Sequence, residues 1–169
     1  MVIKQFYKKY RKQFKTGHPI ITKFFIVFAR FESALKTAGF ISTRNNKVQA
    51  NWDNFVSSIR CSFIYEENEK LSDAVNYILQ HPPKKQTVDI NNRLVWEDRV
   101  FEENAPIINR LSLSIRDIRN NLFHGGKFSG NYQPDISRNR KLLENSLAIL
   151  NEWLLLDENV KEKFLAPIE

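Results

Sequence analysis

The sequence predicts an all-α protein, an antiparallel bundle of about five to six helices. Three observations lead there. Apolar side chains return at spacings of three and four along several stretches, as they do in helices that bury one face. Glycine is scarce, with five in 169 residues, and strand-like alternation is confined to one short region. A chain of this length fits one domain, residues 1–169, with enough surface to bury a full core.

Ile3, Phe6, Tyr7, Tyr10 and Phe14 define an amphipathic helix over about 2–15, with Lys8, Lys9 and Lys12 among its solvent-facing lysines. Thr16-Gly17-His18-Pro19 breaks it. A second helix runs from about Pro19 to Phe40, where Phe24, Phe28, Phe31 and Leu35 form a stripe widened by Ile21 and Phe25, so that face must be buried. Glu32 stands at the edge of the stripe, as a solvated or paired carboxylate or as a cleft residue.

Asn51 is placed to cap a third helix carrying Trp52, Phe55, Ile59 and Phe63, and Ser72 a fourth carrying Val75, Ile78 and Leu79. Pro82-Pro83 ends the fourth. The acidic turn Glu66-Glu67-Asn68-Glu69 reads as solvated surface in preference to a metal site, because no histidine lies near it in sequence. Residues 84–100 are the least helical: Val88 and Ile90 alternate with polar residues, Asn91-Asn92 suits a turn, and Leu94 and Trp96 alternate again. A short hairpin and an irregular insertion over the helices both fit.

Asn104 as cap and Pro106 in the first turn open a long helix whose core stripe is Ile108, Leu111, Ile115, Ile118 and Leu122. Gly125-Gly126 ends it. Asp135 or Ser137 then starts the last long helix, with Leu143, Leu147, Leu150 and Leu154 as its seam and Ile149 and Trp153 beside it. These two helices are expected to pack antiparallel at the centre of the bundle.

Composition narrows the setting. Cys61 is the only cysteine, so it has no intramolecular disulfide partner, and the chain reads as intracellular. The N-terminus scatters basic residues where a signal peptide would have an apolar segment. The longest apolar run, Phe24 to Ala29, is far short of the roughly 18 residues of a membrane span, so a cytoplasmic protein is expected, with no membrane partner. The formal charge of +7 is uneven: residues 1–30 hold eight basic side chains and no acidic one, leaving 18 basic against 19 acidic in the remainder. Such an end suits a polyanion, although a docked helix with a solvated basic face explains it as well.

The richest stretch is Arg116-Asp117-Ile118-Arg119-Asn120-Asn121-Leu122-Phe123-His124-Gly125-Gly126. At about 100° per residue, Arg116, Asn120 and His124 align opposite the core stripe and Arg119 flanks it. Leu113 and Phe123 lie among these polar groups and imply that something covers the face, a second copy of the helix being the natural candidate. Arginine offers phosphate a planar fork that stays charged, and histidine takes and gives protons near neutrality. Together they suit a metal-independent cleavage in which a base helps the 2′-hydroxyl attack phosphorus while cations stabilise the developing charge. The cluster holds no carboxylate pair for a metal. Spacing alone also fits a plain helix C-terminus, where Arg and His favour the dipole and free carbonyls.

Arg119-Asn120-Asn121-Leu122-Phe123-His124 resembles the signature of the HEPN family, an arginine and a histidine separated by four to six residues with a polar residue after the arginine. The continuation His124-Gly125-Gly126-Lys127 looks like its Apea-like branch. Arg140-Lys141-Leu142-Leu143 with Leu147-Ala148-Ile149-Leu150-Asn151-Glu152-Trp153 resembles that branch's last helix, and Phe28-Ala29-Arg30-Phe31-Glu32-Ser33-Ala34-Leu35 resembles the family's early helix.

The resemblance implies a HEPN-like bundle that forms a homodimer through the motif helix, with Arg119 and His124 of each chain in one composite cleft. It implies an endoribonuclease on single-stranded or loop RNA, a toxin or defence effector without cofactor, with an antitoxin or nucleotidyltransferase as candidate partner. Arg119 would contact the scissile phosphate, His124 would serve as acid/base or phosphate ligand, and Asn120 would orient the substrate. Arg116, Lys127, Lys8, Lys9 and Lys12 are expected to hold RNA, and Glu32 to lie near the cleft. The alternative is a noncatalytic HEPN module that binds partners, nucleotides or nucleic acid in a regulatory complex.

Overall fold

The computed structural model describes residues 18–123 and 136–167, which form a helical bundle with two small two-stranded sheets. In chain order these residues contain α1 (His18–Thr37), β1 (Ile41–Arg44), β2 (Lys47–Ala50), α2 (Trp52–Ile59), α3 (Glu69–Gln80), β3 (Lys85–Val88), β4 (Leu94–Glu97), α4 (Ile107–Phe123), α5 (Ile136–Leu156) and α6 (Glu158–Leu165). Six helices among the described residues and the insertion over 84–100 match the expected fold class. The basic helix over about 2–15, the Gly125-Gly126 terminus and Asp135 lie outside the described residues.

The centre of the α1 stripe is buried as its spacing requires, with Phe24, Phe28, Phe31, Ala34 and Leu35 facing the core and Ile21 half-buried. Phe25, expected to widen the stripe, is exposed because the core does not reach that far round the helix. Gly39 ends the helix. Its φ of +95° is open to glycine, and the Gly39 and Phe40 amides close onto the carbonyls of Lys36 and Leu35, satisfying groups a helix end leaves free. At the start of α1's second half the Arg30 guanidinium donates to the carbonyls of Phe164 and Ala166, clamping the end of α6.

The chain then makes a hairpin that its sequence does not announce. β1 and β2 pair antiparallel with Ile41 opposite Ala50 and Arg44 opposite Lys47. Asn45 and Asn46 form the turn with φ of 51° and 58°, a geometry that asparagine tolerates and that suits the twist of a two-residue hairpin loop.

Asn51 caps α2, accepting from the Asn54 amide, as expected. α2 stops at Ile59, and a 3-10 turn over Arg60–Ser62 precedes a half-buried Phe63. The cap of α3 differs from expectation. It is Asn68, whose Oδ1 accepts from the Leu71 amide at 3.2 Å, and Ser72 lies inside the helix. Both are short polar residues, but only Asn68 immediately precedes the helix. The Asn91-Asn92 region does form a hairpin, with β3 and β4 pairing Lys85 with Glu97 and Val88 with Leu94.

The first turn of α4 is likewise shifted. Pro106 immediately precedes it and its carbonyl receives the amides of Asn109 and Arg110, while Asn104 stays exposed upstream. The expected stripe is buried at Ile108, Leu111, Ile115 and Ile118, with Leu122 packed at its margin. The backbone of α4 runs closest to α2 and α3, whereas α5 lies closest to α3 and α1, so the two long helices meet without forming the tightest pair. Asp157 caps α6, a short helix whose separation from α5 the apolar seam does not reveal.

One aromatic cluster joins these pieces. Trp52 stacks against Phe28 and Phe31 at 5.2 Å each, and Phe55 meets Phe31, Phe40 and Trp153 edge-on. No helix of the described residues is long and apolar enough to cross a membrane.

Candidate functional site

α4 presents two polar faces with different tasks. On one, Asp117 is buried and its carboxylate is held by both arms of the Arg99 guanidinium, Nη2 donating to Oδ1 at 2.7 Å and Nε to Oδ2. The hydrogen bond to Asp117 and its negative charge push the Arg99 pKa up against the opposing effect of burial. Asn121 adds a second tie, donating to the Lys84 carbonyl at 2.7 Å. These contacts fasten the β3–β4 insertion to α4 and fix the rotation of the helix.

The other face opens onto a cleft of about 640 Å³ between α1, the β1–β2 hairpin, the start of α2 and α4. Arg116, Arg119 and Asn120 supply one wall. Glu32 and Lys36 come from α1, Arg44 and Gln49 from the hairpin, and Phe28 and Trp52 form part of the apolar lining. Four cationic side chains thus border the space with one carboxylate, and the volume lies within the roughly 300–1,000 Å³ of ordinary ligand sites.

Each side chain is held in a definable way. Arg119 is half-buried, with its guanidinium carbon 5.7 Å from the Phe28 ring centroid and Nη1 donating to Asn120 Oδ1 at 3.0 Å. Phe28 therefore serves the core and, through one face of its ring, the arginine. Arg116 approaches Asp53 at 3.6 Å, a pair exposed by 38% and 77%. An ion pair that open to water holds its partners weakly, which leaves Arg116 able to exchange Asp53 for another anion. Glu32 accepts from Trp52 Nε1 at 3.1 Å, so its placement is set by the aromatic core.

The helical projection expects Arg116 and Asn120 on one line and Arg119 at its edge, and all three border the same cleft together with Glu32. Leu113 is half-buried. His124, Lys127, Lys8, Lys9 and Lys12 lie outside the described residues. Sequence reasoning missed Lys36, Arg44 and Gln49. Only the unforeseen hairpin brings Arg44 beside the motif. Lys36, four residues after Glu32 on α1, carried a usable signal, because i,i+4 spacing sets both on one face.

Comparison with protein-family models, curated proteins and solved structures finds no match to this chain.

Proposed function

We propose that this protein is a metal-independent endoribonuclease of the HEPN type, acting on single-stranded or loop RNA as a toxin or defence effector. The observation that carries the reading is the convergence of Arg116, Arg119 and Asn120 on one cation-rich cleft, next in sequence to His124 in the Arg-Asn-Asn-Leu-Phe-His-Gly-Gly run. Lying over the Phe28 ring, Arg119 brings to the cleft a planar fork of the kind that grips a phosphodiester.

In the proposed reaction a base takes the proton of the 2′-hydroxyl, whose oxygen bonds to the adjacent phosphorus. The bond from phosphorus to the 5′-oxygen breaks, and that oxygen leaves with a proton from an acid. Products are a 2′,3′-cyclic phosphate and a 5′-hydroxyl end. His124 is assigned the proton transfer, because an imidazole can both take and give a proton near neutrality, or the phosphate contact if a second His124 transfers the proton across a homodimer. Arg119 and Arg116 stabilise the charge on the non-bridging oxygens, and Asn120 orients Arg119 or the substrate. Lys127 and the N-terminal Lys8, Lys9 and Lys12 guide the strand, and an antitoxin or nucleotidyltransferase is the class of partner that would restrain such an enzyme.

The test is incubation of purified protein with mixed RNA in EDTA, followed by mapping of the ends. Cleavage by wild type, and its loss in Arg119→Ala and in His124→Ala, is expected. RNA left equally intact by all three proteins, in cells as well as in vitro, would return the motif helix to a noncatalytic interaction module.

A further inference from the structure

The β1–β2 hairpin brings charge to the cleft at a cost to its own stability. Arg44 and Lys47 are directly opposed across the two strands, where like charges repel, and both are exposed. Among the described residues neither makes an ion pair, and Lys36 on the neighbouring α1 makes none either. Arg44 and Lys36 nevertheless both border the cleft, away from Arg116 and Arg119 in sequence and on different elements. The one carboxylate of the lining, Glu32, is already engaged by the Trp52 indole. Two cations from separate elements, held at one concave surface without an ion-pair partner among the described residues, form a receptor for an anion. Gln49 on the same wall adds a neutral amide able to donate and accept.

We infer that Lys36 and Arg44 form a second phosphate subsite, which holds the phosphate of the nucleotide next to the one at Arg119, with Gln49 facing the intervening sugar or base. The inference rests on the cleft being an RNA site, and it makes the ligand a strand of at least two phosphates instead of a single nucleotide. A strand bound at both ends is drawn taut across the cleft, and Lys36 and Arg44 act as positioning residues for it. Single-stranded RNA satisfies this, because its backbone adapts its spacing to the two walls.

The probe is a short fluorescent 2′-O-methyl oligonucleotide, which has no free 2′-hydroxyl and is not cleaved. Anisotropy titrations from about 50 to 200 mM salt give both affinity and salt dependence for wild type, Lys36→Ala/Arg44→Ala and a control, Lys70→Ala/Lys85→Ala, that removes the same charge away from the cleft. Each neutralised phosphate adds about 0.7 to the slope of log K against log salt on a single strand, so the slope should fall by about 0.7 in Lys36→Ala/Arg44→Ala, which loses the one phosphate of the subsite. The control should keep the wild-type slope. Equal melting temperatures in the three proteins keep unfolding out of the comparison. An unchanged slope in Lys36→Ala/Arg44→Ala, an equal fall in the control, or no binding by wild type overturns the subsite. Normal binding with the expected slope change, but no cleavage of unmodified RNA, overturns the ribonuclease reading and leaves the subsite standing.

Discussion

Trp52 Nε1 donates to Glu32 Oε1 at 3.1 Å, and through this bond the centre of the aromatic core sets the position of a carboxylate at the cleft wall. The Trp52 ring is itself clasped between Phe28 and Phe31. Glu32→Ala removes the acceptor from a buried indole N–H and should destabilise the fold by about 1–2 kcal/mol in urea unfolding. Glu32→Gln retains an acceptor and should recover most of that loss while making the cleft more cationic, so it should also bind a nucleic-acid probe more tightly than wild type.

Arg99 and Asp117 form a largely buried, two-armed ion pair whose removal from one side leaves the other uncompensated. Asp117→Ala should cost about 2–3 kcal/mol, somewhat below a fully buried pair because Arg99 keeps partial access to water. The paired change Arg99→Met/Asp117→Leu should cost less than the single one. Because the folded-state pKa of Arg99 is raised above the ordinary guanidinium value, the stability it contributes is fully present below that ordinary value and is lost only as pH rises through the raised one. Stability measured between about pH 6 and 9 should therefore show no contribution from Arg99 titration, and a step there assigned to Arg99 by comparison with Arg99→Met would count against the pair as described.

Arg119 gains from shape as well as charge. Arg119→Lys keeps the cation but loses the planar fork and the stacking on Phe28, so RNA cleavage should fall by about 10- to 100-fold with little change in melting temperature. Full activity in Arg119→Lys would mean that the residue acts only as a point charge.

The Asn45-Asn46 turn gives a handle on the hairpin alone. Asn46→Gly relieves the left-handed backbone and should leave binding of the probe intact, whereas Asn46→Val should cost about 1–2 kcal/mol of local stability. Hydrogen exchange should report that loss at residues 41–50 and spare α4.

These four cases also mark what the sequence made legible. The stripes of α1, α4 and α5 were readable because burial on one side of a helix imposes a period, and Phe24, Leu111 and Leu150 are buried accordingly. The β3–β4 hairpin was visible through Asn91-Asn92 and the alternation around it. The β1–β2 hairpin has the equally good turn pair Asn45-Asn46, but its strands carry few apolar residues and lie mostly exposed, so no period marked them. Asp117 escaped notice for a different reason. It sits inside a motif read for its cations, and its partner Arg99 is brought to it only by the tertiary fold.

The two walls of the cleft come from distant parts of the chain, one between Phe28 and Trp52 and the other between Arg116 and Asn120. Synthesis adds about 5–20 residues per second, so the hairpin cations leave the ribosome several seconds before α4 can join them. For a chain that acts on RNA, this order matters. On the ribonuclease reading proposed above, the growing polypeptide would have half a grip and no motif until Arg116 and Arg119 have emerged and α4 has docked, and it would stay harmless to the ribosomal RNA beside which it is made.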